Sequence, residues 1–149
     1  AMSVGMLADY VIAELPIRLK YELVLSEADA AEELVVPPKG IAIAIGGIIK
    51  NAFDAQIGSA EESIRITIGV SQRSRKRELV WQVQDQGEGM TPDVLKRVRE
   101  PFFTTKEPGQ GMGLGVFLAH STIERLGGSL KFDSEPGVGT TATIYLPMN

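Results

Sequence analysis

The chain has 149 residues, 44% of them hydrophobic, and a net charge of −4, which suits one ordinary domain with a core and excludes a disordered chain. The acidic balance argues against nucleic acid as a partner, and with no cysteine there is no disulfide, thiolate-bound zinc or thiol nucleophile. The longest apolar run, "IAIAIGGII" at 41–49, is far below the roughly 18 to 20 residues that span a bilayer, so no membrane contact is expected of this domain.

Ser3 is placed to cap a helix in which Met6, Leu7, Tyr10, Val11 and Leu15 recur at helical spacing, with Pro16 marking its end. "RLKYELVLS" alternates Leu19, Tyr21, Leu23 and Leu25 against Arg18, Lys20 and Glu22, which predicts a half-buried strand. "EADAAEEL" reads as a connection, and "LVV" as a short edge strand before Pro37 and Pro38. Pro38 suits the first turn of a helix reaching Gln56, because its missing amide would have no partner there. Ile41, Ile43 and Ile45 also alternate as in a strand; the length of the segment and its Pro-Pro start decide for helix.

"SIRITIGVS" and "ELVWQVQD" predict a hairpin around the basic "QRSRKRE", which reads as a solvated loop. Thr91 then caps, and Pro92 opens, a helix running to about Glu100. An irregular stretch from Pro101 to Gly111 precedes a helix whose Val116, Ala119, Ile123 and Leu126 share a face, ended by Gly127 and Gly128. "SLKFDS" and "GTTATIYLP" are two last strands around a Glu-Pro-Gly turn. With no repeat and no linker, the pattern predicts a single α+β domain, a two-layer sandwich of a mixed, mostly antiparallel sheet with helices on one face.

Three polar islands interrupt this framework. In "KNAFDA", Asn51 and Asp54 share a helix face with Gly47, and an asparagine carbonyl facing a cleft is a hard oxygen ligand of the kind magnesium takes. The same asparagine also reads as an ordinary polar residue near a helix end. In "DQGEGMTPD", Asp85 at a strand end can accept a hydrogen bond from an exocyclic amine, and Gly87 and Gly89 allow a flat base to approach bare backbone. A simple turn explains those residues too. In "GQGMGLG", Gly111, Gly113 and Gly115 lead into a helix whose exposed amides suit phosphates. No Walker sequence occurs, and "GMGLG" is not the dinucleotide-binding fingerprint. "GVGTTA" fits a relaxed form of that fingerprint but lies between two strands and reads as a hairpin turn.

In this order and spacing, "NAFDA", "DQGEGM", "EPFFTTK" and "GMGLG" resemble the asparagine, first glycine, phenylalanine and second glycine boxes of the GHKL ATPases. "EPFFTTK…GQGMGLGVFLAHSTIERLGG" is similar in particular to the catalytic domain of two-component sensor histidine kinases, and "GMGLG-x-F-x-A" to the redox-responsive RegB/PrrB kinases. The resemblance covers about residues 40 to 146 and implies a Bergerat fold with ATP between sheet and helices. By that likeness Asn51 would ligate Mg²⁺, Asp85 would receive the adenine amino group, Gly87 and Gly89 would floor the base, and Gly111, Gly113 and Gly115 would contact the phosphates. Met90, Met112 and Leu114 lie within these boxes and are counted with the nucleotide site. Residues 101–110 would form an ATP lid, with Phe102 and Phe103 anchoring it and Thr104, Thr105 and Lys106 near the phosphates.

Two positions depart from that pattern. Gly47 stands where histidine kinases often carry a second asparagine and ATP-hydrolysing relatives a glutamate base, which implies weaker magnesium binding and no efficient activation of water. Asp54 stands where many kinases place a cation, and Lys50, one turn away, is the candidate replacement. A kinase of this type moves the γ-phosphoryl group to a histidine on its own dimerisation domain and thence to a response regulator, with positioning and charge neutralisation supplied by the nucleotide domain. No dimerisation hairpin is legible in residues 1–149, so the resemblance implies one catalytic ATP-binding domain, cytoplasmic, unable to phosphorylate itself alone; His120 reads as a structural or surface histidine. The alternatives are a GHKL serine-protein kinase of the anti-sigma-factor type, a GHKL ATPase, and a nucleotide-binding module without activity.

Overall fold

The computed structural model describes residues 1–15, 19–56, 63–73, 75–103 and 114–148. Leu79, Trp81, Val83 and Asp85 are buried while Gln82 and Gln84, alternating with the last three, are exposed. Such alternation gives a sheet one wet face and one face that must be covered.

In chain order the elements are β1 (Met2–Ser3), α1 (Val4–Ala13), β2 (Tyr21–Val24), α2 (Glu27–Ala30), β3 (Glu33–Leu34) and α3 (Pro38–Ala55). They continue with β4 (Ile64–Arg73), β5 (Lys76–Asp85), α4 (Pro92–Arg97), α5 (Gly115–Arg125), β6 (Ser129–Glu135) and β7 (Gly139–Pro147). Five strands form one sheet in the order β2-β4-β5-β7-β6, antiparallel except for the β2/β4 pair, and β1 pairs separately with β3. The register sets Ile68, Trp81, Ile144 and Leu130 in one row and Ile66, Val83 and Ala142 in the next. These rows meet the buried stripes of α1 (Val4, Leu7, Ala8, Val11), α3 (Ile41, Ile45, Ile48, Ile49) and α5 (Val116, Ala119, Ile123). The predicted α+β sandwich with helices on one face is therefore the fold. Within α3, Ile41 and Ile45 are fully buried and Ile43 is 66% exposed, the outcome of helical and not strand spacing.

Most of the basic stretch expected as a loop is strand, with Arg73 ending β4 and Lys76 opening β5, and α4 stops at Arg97, short of Glu100; four further places differ from the sequence expectation. All four residues of β2 are exposed, because it is an edge strand paired only with β4; the buried member of the predicted alternation is Leu19, just ahead of it. The stretch after it is one helical turn, nucleated by Ser26, whose Oγ accepts from the Asp29 amide. Of "LVV" only Leu34 lies in a strand, and its partner is Met2 of the N-terminal segment. The buried face of α1 also turns by one position: Val4 and Ala8 join Leu7 and Val11, while Met6 and Tyr10 face out. Among the described residues no helix is long and apolar enough to cross a membrane.

Candidate functional site

Asp85 closes β5 on the same side as Leu79, Trp81 and Val83, so the strand's alternation delivers a carboxylate to the layer between sheet and helices. It is 5% exposed. Its Oδ1 accepts the amides of Gly87 at 2.9 Å and of Thr140, its cross-strand neighbour on β7, at 3.3 Å. No donor among the described residues reaches Oδ2, which leaves one oxygen of a buried carboxylate for an incoming N–H. Burial pushes the carboxyl above its ordinary value of 3.8, and the two backbone amides pull against that rise.

The loop after Asp85 is stitched on both sides. Gln86 N donates to Gln56 Oε1 at 2.6 Å, and Met90 N donates to Ser134 Oγ at 2.7 Å. Ser134 Oγ lies 2.8 Å from Thr140 Oγ1 and donates to the Gly139 carbonyl. The two loop glycines have packing reasons of their own. A Cβ on Gly87 would lie 2.3 Å from the Ala55 carbonyl oxygen, and Gly89 combines φ of +71° with a Cβ position 2.1 Å from the Glu135 carbonyl oxygen. Glycine is thus required here by α3 on one side and the β6–β7 turn on the other.

Along α3, Gly47, Asn51 and Ala55 recur every four residues and form one row. At one end of the row a Cβ on Gly47 would be 3.7 Å from the Gly115 carbonyl oxygen at the start of α5; at the other end Ala55 lies against Gly87. Asn51 therefore sits between the N-terminus of α5 and the Asp85 loop. Asn51 and Asp54 are half-buried and Lys50 is exposed. No group of three acidic, histidine or cysteine side chains able to cage a metal occurs among the described residues. A hydrated magnesium ion, which takes only one or two protein oxygens, suits that donor set.

Leu114 precedes α5 without a side-chain cap, and the first turn from Gly115 carries no acid, so among the described residues no side chain there competes with an anion for the amides. Thr104, Thr105, Lys106, Gly111, Met112 and Gly113 lie outside the described residues. Of the two expected lid anchors, Phe103 is half-buried with the Arg97 guanidinium 4.5 Å from its ring centre. Phe102 is 68% exposed at φ of +65° and anchors nothing among the described residues. His120 is half-buried, with its Nε2 3.2 Å from Glu124 Oε1, one turn along α5. Gln56, Ser134 and Thr140 were missed as site residues. Only the glutamine left a signal, a polar side chain ending an apolar helix.

A family model described as histidine kinase-, DNA gyrase B- and HSP90-like ATPase matches residues 37–149. The chain is 49% identical over 69 residues, 46% of its length, to the sensor kinase CckA of Brucella abortus. It is 31% identical over 141 residues, 91% of its length, to the two-component sensor PprA of Pseudomonas aeruginosa. It spans 7% of the first relative and 14% of the second. Among solved structures, the mycobacterial sensor histidine kinase MprB superposes with a TM-score of 0.73 at 19% identity, covering 99% of this chain and 96% of that one, which establishes the shared fold.

Proposed function

The chain belongs to the family of histidine kinase-, DNA gyrase B- and HSP90-like ATPases, and from that membership we propose that it is the ATP-binding catalytic domain of a two-component sensor histidine kinase. The observation that carries the reading is Asp85: a buried carboxylate at a strand end with Oδ1 held by two backbone amides and Oδ2 open to an exocyclic amine. Adenine presents such an amine as a donor.

In this reading Asp85 selects the base, and the loop through Gly87, Gly89 and Met90 lies beside it. The uncapped start of α5, at Leu114 and Gly115, takes the phosphates with Gly111, Met112 and Gly113. Asn51 holds Mg²⁺ from the row that joins these two regions, and Lys50 and Asp54 flank it. The ion, when bound, neutralises phosphate charge. Phe103, seated against Arg97, marks the base of the lid that would bring Thr104, Thr105 and Lys106 to the nucleotide. Catalysis is then a matter of holding the terminal phosphoryl group in line with an external acceptor.

Gly47 favours phosphotransfer over hydrolysis, because no carboxylate stands one turn before Asn51 to activate water. The acceptor is a histidine on the dimerisation domain of the same protein, and a response regulator receives the group afterwards. The location that goes with this role is the cytoplasm.

Incubating the chain with labelled ATP, with and without a supplied dimerisation domain, tests the reading. Acid-labile phosphate should form on the added domain and not on this chain alone. Acid-stable label on a partner's hydroxyl, or label on His120, would refute it.

A further inference from the structure

Gln56 follows the last residue of α3 and is 1% exposed, a rare setting for a glutamine. Its Oε1 accepts the Gln86 amide across 30 residues of sequence, at 2.6 Å, and no acceptor reaches its Nε2 among the described residues. The bond therefore falls on the peptide that leaves Asp85. One residue further, Gly87 is seated against the Ala55 carbonyl and returns its own amide to Asp85 Oδ1. Two successive residues at the end of α3 thus grip the two residues after Asp85. That arrangement is costly: it buries an amide side chain, satisfies only one of its ends, and requires glycine at 87.

We propose that Gln56 is a positioning residue for base recognition, which by fixing the Asp85–Gln86 peptide aims the open oxygen of Asp85 and so sets the preference for a purine with an amine, and not a carbonyl, at its six position. The proposal rests on the nucleotide reading above. A guanine presents a carbonyl oxygen where adenine presents its amine, so a firmly aimed carboxylate repels GTP as it attracts ATP. If the carboxylate can swing, both effects weaken together. Because Gln56 is one residue beyond the α3 row that contains Asn51, the same grip ties the end of that helix to the base loop.

The experiment measures ATP and GTP affinities by calorimetry for the chain, for Gln56→Met, for Asp85→Asn and for the double variant. Gln56→Met keeps the length of the side chain and removes the acceptor. The affinity of Gln56→Met for ATP should fall about fivefold to tenfold, the order expected for one lost hydrogen bond. Its preference for ATP over GTP should shrink by a similar factor. The double variant should bind ATP no more weakly than Asp85→Asn alone, since the glutamine acts through the aspartate. A Gln56→Met chain that melts earlier but keeps its full preference for ATP overturns the proposal while leaving the nucleotide reading intact. A wild-type chain without a preference that depends on Asp85 overturns both. Should Gln56→Met fail to fold, Gln56→Glu, which retains an acceptor oxygen, should keep the preference, and its loss there would contradict the assignment.

Discussion

The Thr140 amide on β7 and the Asp85 carboxylate on β5 meet at 3.3 Å across a single rung of the sheet. A side chain that would otherwise leave the strand end at random is held by its neighbour's backbone, and the same oxygen also receives Gly87 N. The geometry leaves the other oxygen without a donor among the described residues and costs desolvation, the pattern of a group kept for a ligand at some expense in stability.

That cost has a measurable sign. Burial raises the pKa of Asp85 in the folded state above 3.8, so the folded chain holds the proton more tightly than the unfolded chain. Its contribution to stability is full below the unfolded value and is lost as pH rises through the raised folded value. Asp85→Asn, which keeps a carbonyl to accept the Gly87 and Thr140 amides, removes the loss. In thermal melts the stability of the variant minus that of the wild type should rise from acid to neutral pH; a difference that stays constant or falls over that interval would contradict the assigned burial.

Gly87 is a packing position before it is anything else. A Cβ placed 2.3 Å from the Ala55 carbonyl oxygen cannot be accommodated without moving α3 or the loop. Gly87→Ala should lower unfolding stability by about 3 kcal/mol, the upper part of the usual range for overpacking. Urea denaturation would read this directly.

Gly47 is the opposite case. Among the described residues a Cβ there would meet only the Gly115 carbonyl oxygen, at an ordinary 3.7 Å, so Gly47→Asn should change stability by no more than about 0.5 kcal/mol. By supplying a second carbonyl oxygen one turn before Asn51, it should strengthen the magnesium dependence of nucleotide binding. Asn51→Ala should abolish that dependence while leaving metal-free binding close to the wild type. Titrations at fixed nucleotide and varied Mg²⁺ separate the two, and equal Mg²⁺ sensitivity in the alanine variant would remove Asn51 from the metal site.

Much of this architecture was legible in the sequence because its signals are local. Ser3, Thr91 and Pro38 mark helix starts by their own chemistry, and the alternation of Leu79, Trp81, Val83 and Asp85 places the last of them on the covered face before any fold is known. Long-range partners were not legible. Gln56 and Ser134 matter through amides 30 and 44 residues distant, and no pattern within either segment announces that pairing. Gly87 and Gly89 read as bare backbone left clear for a base, yet the side on which a Cβ would grow is filled by the Ala55 and Glu135 carbonyls. The exposure of β2 was hidden for a similar reason: alternation reports which residues share a face, and whether a helix covers that face depends on the strand's place at the sheet edge.

Calorimetric titration of the chain with ATP, with and without Mg²⁺ and beside Asp85→Asn, tests the central claim most directly. Saturable binding that weakens by roughly 10-fold to 100-fold in Asp85→Asn, the equivalent of about 1.5 to 3 kcal/mol for a hydrogen bond to a charged group, is the predicted result. Equal affinity in the two proteins, or no binding at millimolar ATP, would contradict it.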